Sequence, residues 1–344
     1  MSGPQLTTST GRDPEHGELV EDSPRAISPG LTMGDRVFRH GSAGIGVTVL
    51  AITGAIGVFL GYQSIPTLRR YGLSFFTENQ WQPENDVVGI SAVLLGTMQV
   101  AVLALMIAFP LALATALFIT EYAPLRVRSG LVSLIDLMAA IPSIVWGLWG
   151  FFLIQPHAIE VARWLSQHMS WVPIFHVDTD PSAALWAQTR YTASVFVASF
   201  PVAMMVLPMA CAVMRGVFAQ APAAEREAAL ALGGTQWGAI RTVVIPFGRG
   251  GIIGGTMLAL GRALGETIAV LLIISPAFDL KIRPLEVGTE TVSALIAGRF
   301  GEATSAQLSA LLTAGFVLFL LTLVVNTVAA VFVNRSRSGS ATEL

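Results

Sequence analysis

The sequence predicts an all-α integral membrane protein with six transmembrane helices, and three observations carry that reading. Hydrophobic residues make up 53% of the chain and charged residues 12%, a balance outside the range of soluble domains. Apolar runs near or above the roughly 20 residues needed to cross hydrocarbon recur along the chain. Between two of them, residues 220–249 form a charged, alanine-rich island, far longer than the usual helix-to-helix link of about 2–8 residues.

The elements follow in order. Residues 1–34 are rich in Ser, Thr, Pro, Gly and acid and have no apolar periodicity, so a disordered cytoplasmic tail is expected there. A cleaved leader fits poorly, because the charged stretch is too long and the apolar run behind it exceeds a typical h-region. The first run, about 41–62, is therefore read as a membrane anchor. Further runs lie at about 92–119, 130–154, 191–213, 250–274 and 307–333. They give a transmembrane domain over 35–335 with a docking loop at 215–249, followed by a short C-terminal tail at 336–344. Segments 63–90 and 155–190 are long aromatic loops and 120–129 is a short link. Within 157–175, Ile159, Ala162, Trp164 and Leu165 alternate with Glu160, Arg163 and His168. That pattern suits an interfacial helix or a loop with aromatic anchors equally well. Pro110, Pro142, Pro201 and Pro208 are expected to kink their helices, which neighbouring helices make tolerable.

Basic residues set the orientation. With the N-terminus inside, the inner segments hold Arg12, Arg25, Arg36, Arg39, Arg126, Arg128, Arg215, Arg226, Arg241, Arg249, Arg335 and Arg337. The outer segments hold Arg69, Arg70, Arg163, Arg190, Lys281, Arg283 and Arg299. The excess places both termini and the island in the cytoplasm.

Several function classes are excluded. A net charge of −2 with dispersed basic residues offers no polyanion surface, so no nucleic-acid partner is expected. Cys211 is the only cysteine and reads as a buried, inert thiol. His16, His40, His157, His168 and His176 show no HExxH spacing and no GxSxG elbow occurs, so neither a metal site nor a cofactor is read. Lys281 is the only lysine and lies outside any glycine-rich loop. No P-loop can be built from this chain, and any ATP-driven work needs a second polypeptide.

Two charges lie inside the fifth run. Arg262 and Glu266 are four residues apart, a spacing that puts them on one face if the helix is continuous. Arg262 follows Gly250 by twelve residues, roughly 18 Å at the α-helical rise, near the middle of a bilayer. A centred arginine costs about 2.5–3.5 kcal/mol on insertion scales, so it is expected to border a bundle interior or an aqueous path. Its forked donors match oxyanions. Glu266, ionised, accepts only, and so favours an oxyanion that still carries a proton. Mutual neutralisation of the two side chains is the structural alternative. An intramembrane enzyme using the pair as stabiliser and base would lack any nucleophile or metal. Gly261 and Gly265 stand beside the charges as a small-xxx-small pair suited to close packing.

In the island, Pro222 suits a first helical position and Glu225 and Glu227 the positive end of a helix dipole. Gly233 and Gly234 should stop this helix. A second should start at the N-cap Thr235, carry Trp237, Ile240, Val243 and Val244, and end at Pro246.

Glu227-Ala228-Ala229, then Gly233 and then Val243, Ile245 and Pro246, resemble the EAA loop of ABC-importer permeases. Val243 and Ile245 stand where that family more often has Ile and Leu, an apolar exchange. Beyond the loop, residues 35–335 resemble the C-type permeases of phosphate-specific ABC importers. The likeness rests on FFTENQWQP at 75–83, FITEYAP at 118–124, AAIPSIVWGLWGFF at 139–152, LGRALGETIAV at 260–270 and SALIAGRFGEA at 293–303. The resemblance implies a type I importer fold and a non-catalytic subunit in the plasma membrane of a prokaryote, paired with an A-type permease. It further implies two copies of a cytoplasmic ATPase docked at Glu227, Ala228, Ala229 and Gly233, and an extracytoplasmic binding protein that delivers inorganic phosphate. A permease for molybdate, sulfate or another oxyanion is the alternative.

Overall fold

The computed structural model describes residues 33–177 and 191–337. The tails expected at 1–34 and 336–344 lie outside the described residues except where they enter the first and last helices, and Arg190 lies outside them too. By internal contacts the chain divides into residues 1–55 and 56–344. In the first unit the described residues are helical and exposed.

The chain order is α1 (Met33–Tyr71), the single turn α2 (Ser74–Thr77), β1 (Trp81–Gln82), β2 (Val87–Val88) and α3 (Ser91–Leu117), which a π turn, Phe118–Tyr122, prolongs. Next come α4 (Leu125–Ala140), α5 (Ser143–Trp149), a π turn Gly150–Ile154, α6 (Gln155–His168) and α7 (Val195–Phe218). The island holds α8 (Ala223–Ala231), α9 (Gln236–Ala239) and a π turn Ile240–Val244 that leads into α10 (Ile245–Leu264). The chain closes with α11 (Ile268–Ile273), α12 (Val292–Arg299) and α13 (Ser305–Arg337). Among the described residues six helical stretches are long and apolar enough to cross a membrane: Met33–Tyr71, Ser91–Tyr122, Ser143–His168, Val195–Phe218, Gln236–Leu264 and Ser305–Val333.

α7 is the central helix, with 78% of its apolar window buried against at most 28% for any other span. Its first turn is capped by the Ser194 hydroxyl, which accepts from the Val197 amide at 3.4 Å. Along α3, which packs on α7, Ala101, Ala104, Ala108, Ala112 and Ala116 are fully buried. Small residues three or four apart let two backbones approach closely where no hydrophobic effect separates protein from lipid. α10 also runs along α7, and a Cβ at Gly248, Gly251 or Gly255 would meet Phe218, Val217 or Ala210 respectively.

Four expectations need correction. The third run, 130–154, is two elements: α4 ends at Ala140, Ile141 has ψ 126° and Pro142 ψ 144°. A residue ahead of proline is pushed out of the α region, and the candidate span begins only at Ser143. That rod continues through α6, so the segment at 157–175 opens as a helix and is not merely an anchored loop. The link expected at 120–129 is largely helical, because the π turn and the start of α4 occupy it. Pro246 does not end the second island helix. The π turn ahead leads into α10, where Pro246 takes the first turn, a position at which its missing N–H is harmless. The fifth run, 250–274, breaks after Leu264, and its span reaches back to Gln236.

The 63–90 loop also carries a hairpin that periodicity did not reveal, with Trp81 opposite Val88 and Gln82 opposite Val87. The Tyr71 hydroxyl donates to Asp86 at its tip at 2.6 Å and Arg70 pairs with the same oxygen at 2.8 Å. These contacts hold the Asp86 carboxyl below the usual carboxylate range, the tyrosine bond first.

α5 and α11 meet at Gly147 and Ala269. A Cβ at Gly147 would lie 2.8 Å from the Ala269 Cα and 2.9 Å from a Leu272 methyl, whereas Gly216 in α7 has nothing within 4 Å. Gly147→Val is therefore expected to force these helices apart and destabilise the chain by about 1–3 kcal/mol. The thermal midpoint of the detergent-solubilised protein should fall with Gly147→Val and hold with Gly216→Ala.

Candidate functional site

Arg262 is on the last turn of α10, is exposed on this chain, and makes no hydrogen bond or ion pair among the described residues. Its depth follows from the helix beside it. Gly248 stands at Phe218 and Gly255 at Ala210 and Met214. Arg262, seven residues or about 10 Å further on, comes level with the middle of α7. Gly261 beside it approaches α13, where a Cβ would lie 3.2 Å from the Asn326 Oδ1. Gly261 thus packs closely, while a Cβ at Gly265 would meet only its own helix's carbonyls at 3.8 Å.

Glu266 does not share Arg262's helical face, contrary to the spacing argument. α10 ends at Leu264, and the Gly265 amide returns to the Arg262 carbonyl at 3.2 Å. The Glu266 carboxylate, 8% exposed, accepts from the Ala269 amide at 3.1 Å and so satisfies a free donor at the start of α11. A side-chain acceptor at this point competes with continued helix and stabilises the break. The two charges flank an interruption and are not ion-paired.

The docking loop shows more of what was expected. α8 stops through two bonds, Gly234 amide to Ala229 carbonyl at 3.1 Å and Gly233 amide to Leu230 carbonyl at 2.9 Å. Gly233 has φ +84°. This is the Schellman termination, whose left-handed residue is usually glycine because any Cβ is strained there. Pro222 sits at the N-cap, one place earlier than expected, and Thr235 caps α9 by accepting from the Gly238 amide at 3.1 Å. Glu225, Glu227, Ala228 and Gly233 are exposed and Ala229 is half-buried. Leu230, Leu232 and Trp237 are 47%, 90% and 56% exposed, an apolar patch on a charged loop of the kind that marks a protein partner.

Two further groups escaped sequence reasoning. Arg226 turns inward from α8: one terminal amine donates to both Glu121 oxygens at 3.2 and 3.3 Å, the other to the Phe218 and Ala221 carbonyls at 3.1 and 2.8 Å. Gln236 donates to the Glu121 carbonyl at 2.6 Å. Only the FITEYAP phrase marked Glu121 beforehand. Elsewhere, Asp136 of α4 pairs with Arg215 of α7 at 3.9 Å, and Gln99 donates to the Lys281 and Ile282 carbonyls, each at 2.9 Å.

At the end of the bundle away from the docking loop, Thr289, Glu290 and Thr291 are buried at 4%, 4% and 3% exposure. α3 lies directly over them, since a Cβ at Gly96 would fall 2.3 Å from the Glu290 carbonyl oxygen. Burial pushes the Glu290 carboxyl up to about 7, against the smaller opposing effects of the Thr291 amide and the Arg299 charge.

A bundle of apolar spans, a broken helix with an unpaired cation at mid-depth, and a capped hairpin offering apolar side chains at one end together describe a transport permease that works with a separate motor. The chain belongs to the family of binding-protein-dependent transport system inner membrane components, which matches residues 108–338. It is 35% identical over 300 residues to the phosphate transport system permease protein PstC 2 of Mycobacterium tuberculosis, covering 86% of this chain and 90% of that protein. It is 36% identical over 307 residues to the phosphate transport system permease protein PstC of Pasteurella multocida, covering 87% and 91%. The type I permease fold recurs in a bacterial ABC transporter involved in the import of the acidic polysaccharide alginate. There the TM-score is 0.53 at 17% identity, over 90% of this chain and 97% of that one.

Glu290 gives the structure a pH dependence of known sign. Folding raises its pKa from 4.5 to about 7, so the folded chain holds the extra proton between those values. Stability is expected to fall as pH rises from about 4.5 to 7, by up to roughly 3 kcal/mol. Thermal midpoints of the solubilised chain across that range should decline for the wild type and stay flatter for Glu290→Gln.

Proposed function

We propose that this chain is the transmembrane subunit of an ATP-driven importer of inorganic phosphate and forms one half of the translocation pathway. The other half comes from a similar A-type permease, and an extracytoplasmic binding protein delivers the ion. Two copies of a cytoplasmic ATPase serve the pair, one of them docking on the exposed face around Glu227, Ala228, Ala229 and Gly233. Both termini and the docking loop are cytoplasmic, in the plasma membrane of a prokaryote.

Arg262 carries this reading. An unpaired guanidinium level with mid-span cannot be left to lipid at about 2.5–3.5 kcal/mol or more, so the face of α10 that bears it borders the pathway. Its forked donors bind an oxyanion at two oxygens. Glu266 lines the same interruption, and its lone pairs beyond the one used at Ala269 favour an oxyanion that still carries a proton. Phosphate does so near neutral pH, and sulfate does not. The curated relatives are named for phosphate transport, which supports the same choice. ATP binding closes the ATPase pair, the docking helices move with it, and the spans exchange inward for outward access before hydrolysis resets them.

Affinity purification of the chain should bring down an ATPase and a second permease. In proteoliposomes with the binding protein, phosphate should stimulate ATP turnover, and sulfate and molybdate should not. Arg262→Gln is expected to abolish phosphate uptake, by 100-fold or more on the order expected for a lost charged contact of about 3 kcal/mol, with the complex still assembled. Normal uptake in that variant would remove Arg262 from the pathway, and stimulation by molybdate or sulfate instead would reassign the substrate.

A further inference from the structure

We propose that Arg226 and Glu121 form the linkage through which movement of the docking helix reaches the spans, acting as positioning residues for coupling. This rests on the reading that α8 docks an ATPase and goes beyond it by naming the inner attachment.

α8 is weakly embedded. None of its residues is buried, and among the described residues Arg226 is its only side chain that hydrogen-bonds to another element. A helix pushed from outside passes its displacement only to what it is fastened to. Glu225, Glu227 and Leu230 are exposed, which leaves that fastening to one guanidinium.

The attachment reaches three spans. Glu121 belongs to the π turn ending the second span, with its side chain 8% exposed while that of Arg226 is 25% exposed. The Phe218 carbonyl belongs to the last residue of α7 and the Ala221 carbonyl to the turn after it, where a cation meets the negative end of the helix. The Phe218 ring in turn lies under Gly248 of α10, where a Cβ would come within 2.3 Å of it. From the second limb of the hairpin, Gln236 grips the Glu121 carbonyl at 2.6 Å. Both limbs therefore hold the same residue of the π turn.

The chemistry suits a rigid link. A guanidinium is planar and its donors are fixed in direction, so four acceptors from three elements hold α8 in one orientation as well as one place. A lysine ammonium in the same position is a point charge that cannot satisfy all four at once. Charge-assisted bonds to a carboxylate shielded from water are stronger than exposed ones, so the link withstands a pull that the rest of α8 would not.

The test uses the complete complex in proteoliposomes with binding protein, reading phosphate uptake and ATP turnover in Glu121→Gln, Arg226→Gln, Arg226→Lys and the Glu121→Gln/Arg226→Gln double variant. The expected result is an assembled complex whose phosphate moved per ATP falls at least tenfold in either glutamine variant. Arg226→Lys should be intermediate, and the double variant no worse than the single ones. A purely structural contact would lower uptake and turnover in proportion and leave the ratio alone. An unchanged ratio, additive losses in the double variant, or loss of assembly in all four variants would overturn the linkage. Retention of the ATPase on the purified chain separates the two readings. If the wild-type chain brings down no ATPase, docking itself fails; if it does and the ratio is unchanged, only the linkage fails.

Discussion

A guanidinium at mid-span with no counterion among the described residues is the constraint around which the rest of this chain is arranged. Lipid cannot solvate Arg262, and among the described residues no carboxylate neutralises it, since Glu266 is engaged at the Ala269 amide. The face of α10 that carries it must therefore meet water, an anion or another polypeptide.

The packing makes room for that arrangement. α7 anchors the bundle, the alanine stripe of α3 seats one neighbour on it, and Gly248, Gly251 and Gly255 seat another, α10. Two interruptions, at Ile141–Pro142 and at Gly265–Thr267, precede α5 and α11, which pack against each other at Gly147 and Ala269. Each break frees backbone groups that hydrocarbon cannot satisfy. One is met by proline, which has no N–H to lose, and the other by the Glu266 carboxylate.

The docking loop shows how a short motif acquires its form. Gly233 is required because the chain turns back through a left-handed residue, and Leu230 and Leu232 beside that turn are exposed. The same helix leaves Leu230 exposed while Arg226 is bonded to the bundle.

The sequence by itself determined the class, the number of spans, the glycine stop at Gly233 and Thr235 as a cap, because bulk hydropathy and local backbone preference act over a few residues and need no partner. It also marked Arg262, since a charge in an apolar run is conspicuous from composition alone. Only the tertiary structure decided where the third and fifth runs break, that Glu266 leaves Arg262's face to cap α11, and that Arg226 reaches Glu121. Those outcomes rest on contacts between residues far apart in the chain, such as the 105 positions separating Arg226 from Glu121. Apolar periodicity cannot register such contacts, and a helix with a continuous hydrophobic pattern reads the same whether or not a neighbouring helix requires it to break.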